Sequence, residues 1–348
     1  MVPAKRLNND VEMPSLGFGV YKIPDDEVEQ AVRTAIEAGY RSIDTATLYE
    51  NERGVGAAVR SCGLPREELF VTTKLWNTDH GHDRALKAFE TSLAQLGLDY
   101  VDLYLIHWPQ PGQDQYVETW RALEKIQADG RARAIGVSNF GVPHLRRLLD
   151  ETDVVPAVNQ VELHPTLQQP ELRKFDADHG IVTESWSPLA RGRLLEHRII
   201  TTIARKHGKT PAQVVLRWHI EMDLVAIPKS ANPARIRENI DIFDFELDAQ
   251  DVAAMATLEA GKPATAKAPA TPAPSTSATV ASQYRLPAVV SFGRNQAFAP
   301  ATHAASTTHS GTVTSSAGVI PSSPARSLTA QPSAIATSCA SRVANSTG

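Results

Sequence analysis

Cysteine is nearly missing from this 348-residue chain, which has only Cys62 and Cys339. Two such distant thiols support neither a disulfide framework nor a cysteine-based metal site, so a reducing compartment and no bound metal are expected. Long apolar runs are missing as well. Nowhere do 18 apolar residues follow one another, and the opening MVPAKRLNNDVEMPSLGFGV has no apolar stretch behind a basic start, so neither a membrane span nor a secretory signal is expected. Past residue 261 there is no acidic residue, only six cations: Lys262, Lys267, Arg285, Arg294, Arg326 and Arg342. The chain's net charge of −4 therefore leaves its first 261 residues at −10. An acidic body with no clustered basic stripe offers nothing to nucleic acid or to an anionic membrane. A cytoplasmic protein acting on a small molecule is the expectation.

What is present is an alternation. Short, apolar, β-branched segments fall at 15–20, 42–44, 69–74, 101–107, 132–138, 157–161, 182–186 and 224–228. Stretches with helical spacing separate them, among them 26–38, 83–96 and 116–128, the last ending at Asp129-Gly130 as a helix C-terminus should. Eight repeats of strand and helix predict an α/β fold, a (β/α)8 TIM barrel, over residues 1–260. Turn residues Asn8, Asn9 and Asp10 lie between two short extended pieces within 5–14, which predicts an N-terminal hairpin closing the barrel floor. Extra material follows the seventh strand: a helical run 199–207, a break at Gly208, and a helix entered at Pro211 after Thr210, where Thr suits an N-cap and Pro the first turn. A last helix is expected over 247–258.

From residue 261 to 348 the composition turns to Ala, Ser, Thr and Pro, as in KPATAKAPATPAPSTSATVAS, without sustained periodicity. Such a segment buries too little apolar surface to form a core, so a disordered C-terminal tail is expected. Translation of a GC-rich gene in a shifted frame is a second reading of the same composition.

A barrel presents its catalytic groups at the C-terminal ends of its strands. Asp44 ends the second strand, Lys74 the third and His107 the fourth, and Tyr49 lies in the loop beyond Asp44. Taken singly, each has an ordinary explanation: a helix cap, a surface charge, a core imidazole, loop packing. Taken together they form a device for delivering a proton. A phenol titrating near pH 10 needs a nearby cation to lower it before it serves near neutrality, and Lys74 supplies that field. Asp44 would hold the ammonium charged and oriented, while His107 would fix a carbonyl oxygen. Without a source of hydride this set would only polarise a ketone.

Two longer segments supply that source by resemblance. GYRSIDTATLYENERGVG at 39–56 and IPKSANPARIRENIDI at 227–242 resemble the two signatures of the aldo-keto reductase family. LYLIHWP at 103–109, GVSNF at 136–140 and Trp-Ser-Pro-Leu at 186–189 match it too, so the resemblance spans roughly residues 4–260. It implies a carbonyl reductase with Tyr49 as general acid, Lys74 and Asp44 tuning it, and His107 orienting the substrate. It also implies NADPH bound without a Rossmann fold, in keeping with the absence of G-x-G-x-x-G after the first strand. Lys229, Ser230 and Arg235 would take the 2′-phosphate and adenine, and Glu238 and Asn239 the adenine edge. Trp186 would be the nicotinamide platform, Ser138, Asn139 and Gln160 its amide readers, and Ser187 and Leu189 further cofactor contacts. Gly19, Val20 and Tyr21 would line the entry, with Tyr21, Trp76 and Trp108 as an apolar substrate wall beside His107. The short loops after Trp108 and Trp186 look more like prokaryotic members such as 2,5-diketogluconate reductases, and the family default is a monomer. Competing readings are an NADPH-binding regulatory subunit, a barrel disabled by its tail, and a sugar-binding barrel without redox activity.

Overall fold

The computed structural model describes residues 2–261, and the expected disordered tail lies outside the described residues. Strands that are short and apolar on both faces can be covered only by helices on one side and by one another on the other. The chain arranges them that way. β1 (Ala4–Arg6) and β2 (Glu12–Pro14) form a small antiparallel sheet, and eight parallel strands follow: β3 (Phe18–Gly19), β4 (Ser42–Asp44), β5 (Phe70–Leu75), β6 (Val101–Ile106), β7 (Ala132–Ser138), β8 (Val158–Glu162), β9 (Val182–Trp186) and β10 (Val225–Ile227). Each of these eight pairs with its neighbours in sequence. The sheet closes on itself because Gly17 N–H donates to Ala226 O at 2.9 Å, Ala226 N–H to Ser15 O at 3.0 Å and Gly19 N–H to Pro228 O at 3.0 Å. The (β/α)8 barrel expected from the alternation is therefore present.

The helices are α1 (Asp25–Ala38), α2 (Glu52–Ser61), α3 (His82–Leu96), α4 (Tyr116–Ala128), α5 (Val142–Glu151), α6 (Pro170–Asp178), α7 (Arg198–His207), α8 (Pro211–Glu221), α9 (Pro233–Ile240) and α10 (Ala249–Ala256). Their inward faces pack on the sheet, as Val28, Val32 and Ala35 of α1 show by being fully buried. Each larger side chain of this kind stabilises the fold by about 1.5–3 kcal/mol. Gly208 ends α7 in the left-handed region at φ 64°, and Thr210 and Gln213 form a capping box at the start of α8. The last helix is shorter than the expected 247–258, because Asp248 turns its carboxylate back onto the N–H groups of Gln250 and Asp251 and so sets the first turn.

The hairpin seals one end of the barrel. Leu7 and Met13 are buried among Phe70, Leu103, Ala134, Val158 and Val225, which lie toward the starting ends of their strands. Asn8 donates to Pro156 O at 3.1 Å and Asn9 to Arg133 O at 2.9 Å, so the turn is tied to the loops around the floor. Only the C-terminal end of the barrel is left for chemistry. Among the described residues no helix is long and apolar enough to cross a membrane, and no cluster of three His, Cys, Asp or Glu could hold a metal.

Candidate active site

Asp44 closes β4, and Lys74 points from β5 into the same interior. Lys74 Nζ donates to Asp44 Oδ1 at 2.6 Å and to Thr45 O at 2.9 Å. Both side chains are almost completely buried. Burial alone would push the ammonium toward its neutral form, but Asp44, with lesser help from Tyr49 and Glu184, outweighs it and holds Lys74 above the usual lysine range. The pair is thus a fixed cation and anion.

Tyr49 sits at the end of a single 3-10 turn, Thr47–Tyr49, directly after β4. Three hydrogen bonds hold that turn and the loop behind it. Thr47 Oγ1 donates to Lys74 O at 3.0 Å, and Asn51 Nδ2 donates to Val20 O at 3.1 Å and to Ile23 O at 2.9 Å. Lys74 Nζ lies 5.2 Å from the centre of the Tyr49 ring. The expected downward shift of the phenol is corrected here: burial pushes Tyr49 up to about 12, and the opposing pull of Lys74 only limits the rise. At neutral pH the hydroxyl keeps its proton, which is the state a proton donor requires.

His107 follows the last residue of β6, and its N–H donates to Leu75 O at 3.1 Å. Burial, reinforced by the Lys74 charge, holds its imidazole well below the usual histidine range, so it is neutral. Its ring meets Tyr49 edge-on at 5.9 Å and Trp76 edge-on at 5.1 Å. The four expected catalytic side chains are therefore gathered in one place. Tyr21 packs on Tyr49 at 5.0 Å, while Trp108 is half-buried directly after His107.

The expected amide-reading residues form a connected rim. Asn139, at φ 63°, donates to His107 O at 2.9 Å and to Ser138 Oγ at 3.0 Å, Ser138 Oγ donates to Gln160 O at 2.8 Å, and Trp186 Nε1 donates to Asn139 Oδ1 at 3.0 Å. Ser187 takes φ 51° just beyond the strand, and Leu189 is half-buried against the core. Glu184, which the sequence reading did not single out, lies beneath this rim. Gln160 Nε2 donates to Glu184 Oε2 at 2.7 Å and to Asp44 Oδ2 at 2.8 Å.

A separate cleft of about 550 Å³ opens at the start of α9, lined by Lys229, Ser230, Ala231, Asn232, Pro233 and Arg235. Asn232, also not singled out, caps α9 through its side-chain oxygen, accepting from Ala234 N at 2.9 Å and Arg235 N at 3.2 Å. A helix N-terminus beside two cations favours an anion such as phosphate. Burial lowers Lys229 somewhat, with Glu27 opposing and Lys22 reinforcing the shift. Gly19 packs against the strand end that precedes the cleft: a Cβ there would stand 3.2 Å from Ile227 O and 3.8 Å from Lys229 Cβ. Val20 is fully buried and its backbone is committed, its N–H donating to Asp44 O and its carbonyl accepting from Ile23 N and Asn51 Nδ2, whereas Tyr21 is exposed. Glu238 accepts from Thr210 Oγ1 at 2.7 Å, and Asn239 is buried. Neither lines the cleft.

Residues 15–260 match the model of the aldo/keto reductase family. The chain belongs to that family. This aldo-keto reductase is 54% identical over 248 residues to a glyoxal reductase of Bacillus subtilis, covering 71% of this chain and 89% of the relative. It is 52% identical over 264 residues to the methylglyoxal reductase DkgA of Yersinia pestis, covering 75% and 95%. A crystal structure of a Bombyx mori aldo-keto reductase in complex with NADP superposes with a TM-score of 0.71 at 38% identity, covering 76% of this chain and 95% of that one.

Proposed function

We propose that this aldo-keto reductase reduces aldehydes and ketones to alcohols with NADPH, acting on small carbonyl compounds of the glyoxal or keto-sugar kind. One observation carries the reading: a protonated tyrosine stands over a buried Lys74–Asp44 pair, beside a neutral histidine. The cofactor would supply hydride to the carbonyl carbon. Tyr49 gives its hydroxyl proton to the carbonyl oxygen as negative charge develops there. The Lys74 ammonium steadies the phenolate that remains, and Asp44 keeps the ammonium in place. Neutral His107 is placed to fix the carbonyl oxygen at the start, and Tyr21, Trp76 and Trp108 wall the mouth.

The residues present fit the cofactor. Lys229 and Arg235 flank a cleft at the cap of α9, suited to the 2′-phosphate, and Gly19 lets its strand lie close against Ile227 and Pro228 just before them. Ser138, Asn139, Gln160 and Trp186 form a polar and aromatic rim suited to the nicotinamide, with Ser187 and Leu189 next to it. Glu238, held by Thr210, and Asn239, which is buried, stand on α9 behind the cleft, and their assignment to the adenine edge rests on the resemblance alone. Relatives that are a glyoxal reductase and a methylglyoxal reductase support the substrate class. The test is loss of NADPH absorbance with a panel of glyoxals, aromatic aldehydes and keto-sugars. A panel that yields no turnover, from protein shown to bind NADPH, would sink the reading.

Lys229→Ala is expected to raise the dissociation constant for NADPH at least about tenfold while changing that for NADH much less, because only NADPH carries the 2′-phosphate. Equal losses for the two would remove Lys229 from phosphate recognition. We assign the working unit to residues 1–260, a cytoplasmic monomer. A chain ending at Gly261 is expected to match the full chain in melting temperature and NADPH affinity. A lower melting temperature in the short form would show that residues past 261 contribute to the fold.

A further inference from the structure

One buried acid beside the Lys74–Asp44 pair has been given no contact with substrate or cofactor. Glu184 has no exposed surface, and on β9 it stands in register with Gln160 on β8. Gln160 Nε2 donates to Glu184 Oε2 at 2.7 Å and to Asp44 Oδ2 at 2.8 Å, so both hydrogens of one amide are committed to two carboxyl groups. Asp44, ionised against Lys74, can only accept, and this fixes which end of the amide faces inward. The main-chain oxygen of Gln160 already accepts from Ser138 Oγ. What the side chain has left to offer is its carbonyl oxygen, an acceptor.

We propose that Glu184 is a positioning residue: with Asp44 it locks the Gln160 amide so that an acceptor is presented to the cofactor's carboxamide, favouring nicotinamide over a nicotinic acid dinucleotide. The inference rests on the NADPH reading above and adds a basis for discrimination to it. A carboxamide NH2 can donate to the Gln160 carbonyl, whereas a carboxylate has no hydrogen to give and meets an oxygen. Burial, helped by the Asp44 charge, pushes the Glu184 carboxyl up to about 8, with Gln160 and Lys74 opposing the rise, and in either protonation state Oε2 accepts from Gln160. Removing Glu184 frees one amide hydrogen and releases Gln160 to rotate about its remaining contact with Asp44.

The experiment is calorimetric titration of the full chain with NADP+ and with nicotinic acid adenine dinucleotide phosphate, for wild type, Glu184→Leu and Glu184→Gln. Wild type is expected to prefer NADP+. Glu184→Leu should weaken NADP+ binding roughly tenfold and leave the nicotinic acid form nearly unchanged, so that the preference shrinks. Glu184→Gln, whose amide oxygen can accept the same hydrogen, should keep it. A leucine variant that melts with wild type and retains the full preference overturns the proposal. Should that variant fail to fold, the glutamine variant decides: loss of preference there is the overturning result. Wild type that fails to bind NADP+ sinks the cofactor reading and this inference with it, whereas NADP+ binding that ignores Glu184 sinks the inference alone.

Discussion

Tyr49→Phe is expected to bind NADPH as tightly as wild type and to lose roughly 10²–10⁴-fold in turnover, the range for removal of a positioned acid. The substitution deletes one oxygen and leaves the ring, so the packing against Tyr21 at 5.0 Å and His107 at 5.9 Å is preserved. Folding stability should therefore hardly change. The phenol is raised to about 12 and so holds its proton at neutral pH, while neutral His107 is a far weaker acid and Lys74 is engaged by Asp44 and Thr45, so neither is expected to replace it. The measurement is single-turnover oxidation of bound NADPH with excess aldehyde. Turnover within a few-fold of wild type would remove Tyr49 from proton transfer.

Lys74→Met strikes at two levels. Asp44 is left as a buried carboxylate whose cationic partner is gone, a loss that typically costs about 3–5 kcal/mol when one member of a buried pair is removed. Chemical denaturation at pH 7 should register a loss of that order. Turnover should fall at least as far as in Tyr49→Phe, since the phenolate formed during transfer loses its counter-charge. A double replacement, Lys74→Met with Asp44→Leu, separates the two effects: stability should recover substantially because no unpaired charge remains, while turnover stays lost. Recovery of turnover in the double variant would argue against a catalytic role for the pair.

The eight strands were legible because each is a compact apolar word bounded by turn residues, and Asp44, Lys74 and His107 could be placed since each sits at or beside the end of such a word. Glu184 was not. A single acidic residue inside VTESW does not announce which face of the strand it occupies, and its meaning depends on its register opposite Gln160, which is set by pairing between strands far apart in sequence. The direction of the Tyr49 shift was misjudged for a related reason. The sequence shows that a lysine is available to lower the phenol, but not how far the fold withdraws the half-buried Tyr49 from water, and here withdrawal outweighs the lysine. Asn232 is legible as a cap, an asparagine just before Pro233, but that its capped turn forms the wall of a cleft depends on where the fold sets α9.

The hairpin turn clamped to the loops at Arg133 and Pro156 covers the floor of a barrel whose interior is already filled by Phe70, Leu103 and Leu105, so the mouth above is a well. Two molecules that must meet inside it have to come and go through one opening, and the one seated deeper cannot leave while the other blocks its way. With the nicotinamide seated on the Gln160 and Trp186 rim as proposed, sequential traffic is the expected result: dinucleotide first, carbonyl second, alcohol out before the spent dinucleotide. A hairpin that buries Leu7 and Met13 at the floor thus leaves the mouth as the way in and the way out.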